Sequence, residues 1–347
     1  ALGQAAPVEG DGGTELEMRR LDDERIEMQL FNGSVAVRVR SSDVAREVEV
    51  VTEEGRFMPR RAGHDGLDRR DDTSVATDWN GSLRFESPDS ALAVSAGRSA
   101  EFWQEGGQRT HYSWVESRRD EFSDWVAREN REDDRSASAQ YVSPEMTGWE
   151  DLDRNGRWET HPEYGALWYP TVVATGWAPY RYGHWAWVRP WGWTWIDDAP
   201  WGFAPFHYGR WVMWGGRWCW TPGVRVARPV YAPALVAWVG GPSVSVGVAV
   251  GAPPVVGWVP LAPREVYRPY YPKLVSAVYL RGVNAGHQHL HPPAPQVPTG
   301  PIMYTNQGVP GAVTVVPSNV LTARRPVAPA VAQVDVNVRN DLARRPA

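Results

Sequence analysis

The sequence predicts a mainly β protein, and three observations predict it. Short runs that alternate apolar and polar residues recur from Glu15 to Val94. Sixteen of the twenty Trp crowd between Trp149 and Trp258, where one hairpin-like pattern repeats. Helical spacing of apolar residues is confined to one segment, near Phe122 to Val126. Together these imply an N-terminal antiparallel β-sandwich or β-roll, one linking amphipathic helix, a C-terminal domain of repeated aromatic β-hairpins, and a Pro-rich tail.

Residues 1–13 are small, polar and Gly-rich, which predicts a disordered N-terminus. The β domain spans 14–107. Glu15–Met18, Ile26–Leu30, Val35–Val39, Val48–Thr52, Ser74–Thr77, Ser82–Phe85 and Ala91–Val94 each place apolar residues on one face at period 2. Asn32-Gly33 between two such runs predicts a hairpin turn, and Asn80-Gly81 predicts a second turn. Residues 108–140 form an amphipathic helix and charged linker, with Val115, Phe122, Trp125 and Val126 on the apolar stripe and Arg131–Arg135 in the linker.

Residues 141–263 form the aromatic repeat domain, read as three hairpins. The first joins Arg157–Glu159 to Ala166–Tyr169. The second joins Gly183–Val188 to Trp193–Ile196, and the third joins Gly209–Met213 to Arg217–Trp220 through Gly215-Gly216. Trp185 and Trp187 share a face, as do Trp193 and Trp195; with Trp211, Trp218 and Trp220 they are expected to form an aromatic core. Trp191 and Trp214, at the turns, are expected to contact a ligand or partner, together with Trp201, His207, Tyr208, Arg210 and Arg217. Similar connectors follow the hairpins: Gly176–Tyr180, Gly202–Phe206 and Gly257–Leu261. Their spacings of 26 and 55 residues imply stacked units, the third with a 29-residue insertion that includes a strand at Ser243–Val246. The tail, 264–347, is rich in Pro, Val and Ala and is expected to be largely extended, with a short strand at Val313–Val316.

The bulk composition excludes some partners. Net charge is −5 with signs intermixed, which argues against nucleic acid or an anionic membrane surface. Lys273 is the sole Lys; Arg210 and Arg217 are candidates for stacking on Trp faces, although a GC-rich genome also accounts for the excess of Arg. Cys219 is the single Cys, so neither an intrachain disulfide nor a Cys-based zinc site can form. The longest apolar candidate, Val244–Val259, is broken by Gly247, Gly251, Pro253 and Pro254, so no transmembrane segment is expected. The chain begins at Ala1, as a mature exported protein does after signal removal and as a chain cut there for any other reason also does.

Phe31–Val39 followed by Val48–Thr52 resembles the FecR-like β domain of bacterial envelope proteins. Gly176–Tyr180, His207–Trp211, Pro233–Trp238 and Gly257–Leu261 resemble a Trp/Tyr/Gly-rich repeat family of unknown function from exported, proline-rich bacterial proteins. The two resemblances cover about 14–107 and 141–320 and imply the periplasm or cell surface of a Gram-negative bacterium. The membrane helix and cytoplasmic anti-sigma segment of the iron-transport FecR regulators do not occur in the sequence, so that signalling role is not implied.

Three clusters offer chemistry. Asp151, Asp153 and Asn155 before Gly156 match the first half of a calcium loop, but Pro162 stands where the bidentate Glu belongs, and an ordinary tight turn is the preferred reading. His287, His289 and His291 alternate without an acidic neighbour and are read as no metal site. Adjacent Asp197 and Asp198 point to opposite strand faces and are read as turn-forming. No cofactor, no metal and no catalytic residue is expected. The function read from the sequence is a non-enzymatic exported envelope protein, a structural or interaction module whose partner is a protein or envelope component and which can form homo-oligomers. One rival is a glycan- or cell-wall-binding protein with exposed Trp platforms. The other is a cell-wall hydrolase acting through Asp197, Asp198 or His207.

Overall fold

In a computed structural model the chain divides into two compact units, Ala1–Arg135 and Ser136–Ala347. The structure describes residues 6, 8–21, 25–106, 109–117, 119–239, 254–269, 276–287, 303–331 and 335–344. The chain as a whole is mainly β, and no helix among the described residues is long and apolar enough to cross a membrane.

The first unit contains β1 (Val8–Gly10), β2 (Glu15–Leu21), β3 (Ile26–Val39), α1 (Ser42–Ala45), β4 (Val48–Val51), β5 (Arg56–Pro59), β6 (Gly63–Arg70), β7 (Thr73–Asp78), β8 (Ser82–Glu86), β9 (Ala91–Ser95), β10 (Arg98–Glu105), β11 (Arg109–Val115) and α2 (Glu121–Arg135). The strands run β11-β10-β7-β6-β3-β4-β5-β8-β9, with β1 and β2 also paired to β3. The sheet folds over at β3, and side chains from both halves meet in one core. Phe57 and Phe85 of one half lie 5.2 and 4.2 Å from Phe102 of the other, ring to ring.

Asn32-Gly33 is not a hairpin turn, as expected from the sequence, but a bend inside β3. Gly33 has φ +93°, and a Cβ there would lie 2.6 Å from the Cα of Thr14, whose hydroxyl bonds the Ser34 backbone. The N-terminus carries a strand rather than being disordered throughout, since β1 pairs Val8 with Val37. The expected helix begins later than Val115. Residues 109–115 pair with β10, and the helix starts at a reciprocal cap in which Ser123 N donates to Asp120 Oδ1 and Asp120 N to Ser123 Oγ. Within this unit α2 is tied down by Arg38, which donates to Asn130 Oδ1 at 3.0 Å and also reaches Asp134.

The second unit contains α3 (Leu152–Asn155), β12 (Gly156–His161), β13 (Gly165–Pro170), β14 (Gly183–Val188), β15 (Gly192–Asp197), α4 (Phe203–His207), β16 (Arg210–Trp214), β17 (Arg217–Thr221), β18 (Val236–Val239), β19 (Val255–Pro260), α5 (Ala277–Asn284), β20 (Thr314–Pro317), α6 (Asn319–Thr322), α7 (Val327–Val331) and α8 (Val336–Arg344). The three expected hairpins are present as β12–β13, β14–β15 and β16–β17.

They are not stacked in chain order. The first joins the third through Trp168 opposite Trp220, while the second pairs with no further strand among the described residues. The supposed insertion contributes β18, which with β19 makes a fourth hairpin; Ser243–Val246 lies outside the described residues. The three connectors are also not equivalent. Gly176–Tyr180 forms turns, Gly202–Phe206 runs into α4, and Gly257–Leu261 lies in β19 up to Pro260. The described part of 264–347 is not extended, as it was expected to be. It supplies β20 and α5 to α8, and Ala312, Val315, Val316, Val320, Leu321, Val327 and Ala330 enter the aromatic core.

Candidate functional site

The Trp-rich hairpins share one local design. Trp158 faces Trp168, Trp185 faces Trp195, Trp211 faces Trp220, and Trp238 faces Trp258 across their strand pairs. A glycine heads three of these hairpins and seats the second Trp. A Cβ on Gly156 would lie 2.2 Å from the Trp168 indole, one on Gly183 2.7 Å from Trp195, and one on Gly209 2.4 Å from Trp220. The repeated Gly is therefore a space requirement, and at Gly209, with φ +68°, a backbone requirement as well.

The rings pack inward. Trp149, Trp168, Trp185, Trp195, Trp211, Trp220 and Trp258 are each less than 2 % exposed. Trp185 lies 5.4 Å from Trp195, 4.9 Å from Trp238 and 5.2 Å from Trp258, so the second hairpin locks onto the fourth. Buried indole N–H groups find acceptors: Trp168 donates to Leu152 O, Trp211 to Pro205 O, Trp220 to Tyr208 O and Trp258 to Tyr180 O, at 2.8–3.0 Å. Trp195 donates to Asp197 Oδ2 at 2.8 Å, and Asp197 Oδ1 accepts from Ala199 N. Burial pushes the Asp197 carboxyl up to about 7. Its oxygens serve the turn, and the adjacent Asp198 is exposed.

Several expected contact residues are interior. Trp201, His207, Tyr208 and Arg210 are 4 % exposed or less. His207 Nδ1 bonds the Ala232 carbonyl at 2.7 Å, and burial lowers the imidazole to about 4, which keeps it neutral. Among the described residues Arg210 has no carboxylate within salt-bridge distance. It donates to the carbonyls of Gly209 and Glu265 and to Asn284 Oδ1 at 2.8–3.1 Å, which clamps β16 to the chain after β19 and to the end of α5. Trp187 departs from the expected core in the other sense, at 40 % exposure, because the strand end carries it beyond the neighbours that bury Trp185. Trp193 is half-buried and Trp218 buried. Trp191 is half-buried against Tyr231 and Tyr279.

One aromatic group does face solvent. Trp214 is 47 % exposed, and its ring meets His161 edge-on at 4.3 Å; His161 in turn stacks on Tyr164 at 4.9 Å. His161 Nδ1 accepts from the backbone N–H of Glu163 and Tyr164, which leaves Nε2 to carry the proton. Beside this group the Arg217 guanidinium lies 4.5 Å above the Tyr169 ring and reaches Glu159. Sequence reasoning missed His161 and Tyr164, because nothing in the sequence says that the first hairpin lies next to the third.

The metal candidates take structural roles. Asp153 accepts from Ser136 Oγ and from Ser138 N, and Asn155 Nδ2 donates to Asp151 O, which closes the single turn of α3 rather than a tight turn between strands. No group of three metal-binding side chains occurs among the described residues. His287 is buried and held well below its ordinary range by that burial; His289 and His291 lie outside the described residues. A cleft between Tyr141, Met146, Tyr208, Val283 and His287 offers about 30 Å³, room for little more than one water.

No curated protein matches the chain. Among solved structures it is similar to two crystal structures of a "putative anti-sigma factor" from Parabacteroides distasonis, at 12 % and 10 % identity with TM-scores of 0.30. Each match covers 36 % of this chain, which spans 57 % of the length of those proteins. Residues 149–265 match a family of unknown function, DUF6600, and that stretch takes in all four paired-Trp hairpins.

Proposed function

We propose that the protein is a non-enzymatic, exported component of the Gram-negative cell envelope, and that its aromatic domain is a structural module which presents a small contact surface. One observation carries the reading: the Trp faces of all four hairpins turn into a single core, with their indole donors largely bound to backbone carbonyls. Aromatic density therefore works as packing, and four strand pairs too short to bury a face alone are held together by it. The groups a hydrolase would need are committed elsewhere, Asp197 to Trp195 and Ala199, His207 to Ala232. The location rests on the resemblance of the first unit to the FecR-like envelope domain. Osmotic-shock fractionation of cells that make the protein naturally, followed with an antibody to this chain, tests it: release with the periplasm or recovery with the envelope is expected, and a cytoplasmic pool sinks the reading.

A second reading is favoured at one place. His161, Tyr164 and Trp214 form an exposed aromatic surface edged by Arg217, Glu159 and Glu163, which suits a glycan ring stacked on Trp214. Co-sedimentation with purified cell-wall sacculi should then fall at least about tenfold in Trp214→Ala at an unchanged unfolding midpoint. Equal retention of both proteins removes the glycan reading and leaves the structural one standing.

A further inference from the structure

A sheet edge left bare recruits another strand, so proteins blunt their edges. Most edges of the described sheets are blunted. β12 carries Arg157 and Glu159. Trp211 N on β16 donates to Leu261 O, and Asn306 Nδ2 donates to Trp211 O. On β15, Trp195 N donates to Pro233 O. β9 is five residues of Ala, Leu, Val and Ser without a large exposed side chain.

β11 differs from all of these. It ends its sheet, runs seven residues, and has Arg109 as its one charged side chain apart from the titratable His111. Thr110 N is held by Asp89 at 3.2 Å instead of by β10, so its N–H points away from the sheet. Strand alternation then turns the N–H and C=O of Tyr112 and Trp114 outward as well. Tyr112 is 42 % and Trp114 44 % exposed, with the Arg98 guanidinium 4.3 Å above the Trp114 ring to hold it in place.

We propose that two copies of this chain pair antiparallel through β11, with Ser113 opposite Ser113 of the second copy. In that register Tyr112 of each copy faces Trp114 of the other. These are the residues whose backbone groups point outward, so each such pair exchanges both of its hydrogen bonds. On the opposite face His111 meets Val115 and the two Ser113 side chains meet each other. From His111 to Val115 no like charges are opposed. Beyond them Asp89 already holds Thr110 N, so the pairing ends before Thr110 and Glu116. The match of each aromatic residue to the other, with small residues at the centre, makes the strand complementary to itself. A two-fold pair therefore closes without leaving a further bare edge on β11. The pairing involves the first unit and does not depend on the reading of the aromatic domain.

Sedimentation velocity of the full chain up to about 100 µM tests the proposal. A concentration-dependent dimer is expected, and Trp114→Lys should weaken it at least about tenfold at an unchanged unfolding midpoint. Ser113→Cys keeps the test open if the Lys variant does not fold. Mild oxidation should give a disulfide-linked dimer that the unaltered protein, whose single Cys219 is buried, does not form. A chain that stays monomeric throughout overturns the proposal. So does a dimer that persists in Trp114→Lys, or one that Ser113→Cys fails to cross-link.

Discussion

Asp65 and Asp78 face each other on β6 and β7, inside the first unit. Both are buried, and both oxygens of Asp65 and one of Asp78 have no hydrogen-bond partner among the described residues. Burial, and then the neighbouring Asp78, push the Asp65 carboxyl up to about 8. The folded protein thus holds a proton that the unfolded chain releases near pH 4, and stability falls as pH rises from about 4 to about 8. Asp65→Asn supplies a neutral side chain at every pH. We expect it to stabilise by roughly 1–3 kcal/mol near pH 8 and by little near pH 4.5. Unfolding midpoints of both proteins across that range check this; a difference that does not grow with pH would count against it. The same reasoning separates two paired indoles. Trp195 donates to Asp197, whereas Trp185 Nε1 has no hydrogen-bond acceptor among the described residues. Trp195→Phe therefore leaves the half-buried Asp197 carboxyl short of a donor and should lower the midpoint more than Trp185→Phe. An equal loss for both would show that ring volume alone matters. Side chains of this kind are the least legible from sequence. Trp201, His207, Tyr208 and Arg210 have the chemistry of contact residues, and only the packed structure shows that backbone carbonyls and neighbouring rings have absorbed them.

The Gly–Trp seat is the unit of construction among the elements. Gly156 is the cleanest place to test it, because its φ of −163° is extended backbone that any residue adopts. The cost of Gly156→Ala is then purely the overlap with Trp168, and we expect about 1–3 kcal/mol, as for other overpacked cores. Gly308→Ala, with open space at its Cβ, should shift the midpoint by less than about 0.5 kcal/mol. If the two behave alike, the seat is not what the glycine provides. Hairpins were readable because alternation and Gly turns are local signals: β14, β15 and the Gly215-Gly216 turn fall where the pattern places them. Elements fixed by distant partners were not readable. β6 reads as polar, yet Arg69 is buried with Glu54 and Ser74 against one end of the core. Alternation also assigns a face without saying how far along the strand the core extends, which is why Trp187 was misplaced. The chain after 264 offers Pro, Val and Ala with little periodicity; its one short apolar run is found as β20, paired with β19, but the helices α5 to α8 carry no comparable local signal.

At the scale of the whole molecule, the two main cores among the described residues have no residue in common, and a third, small cluster of Leu167, Tyr169, Val212 and Cys219 lies in the second unit. Of the main cores, one is the aliphatic and Phe core of the first unit; the other is the Trp core of the second. The first is held by strands whose partners alternate between two halves of a folded sheet, the second by paired indoles and by segments that arrive from the C-terminal region. Cores of such different composition, each closed within its own stretch of chain, have no reason to melt together, because cooperativity follows shared packing. We therefore expect calorimetry on the full chain to show two transitions. Asp65→Asn should move one of them near pH 8 and leave the other within about 0.5 kcal/mol, since sites that share no packing partners act additively. Gly156→Ala should do the reverse. The double variant should then show both shifts at their single-variant sizes. A single transition that moves with either substitution would mean that the two cores unfold as one, and the division drawn at Arg135 and Ser136 would carry no energetic meaning.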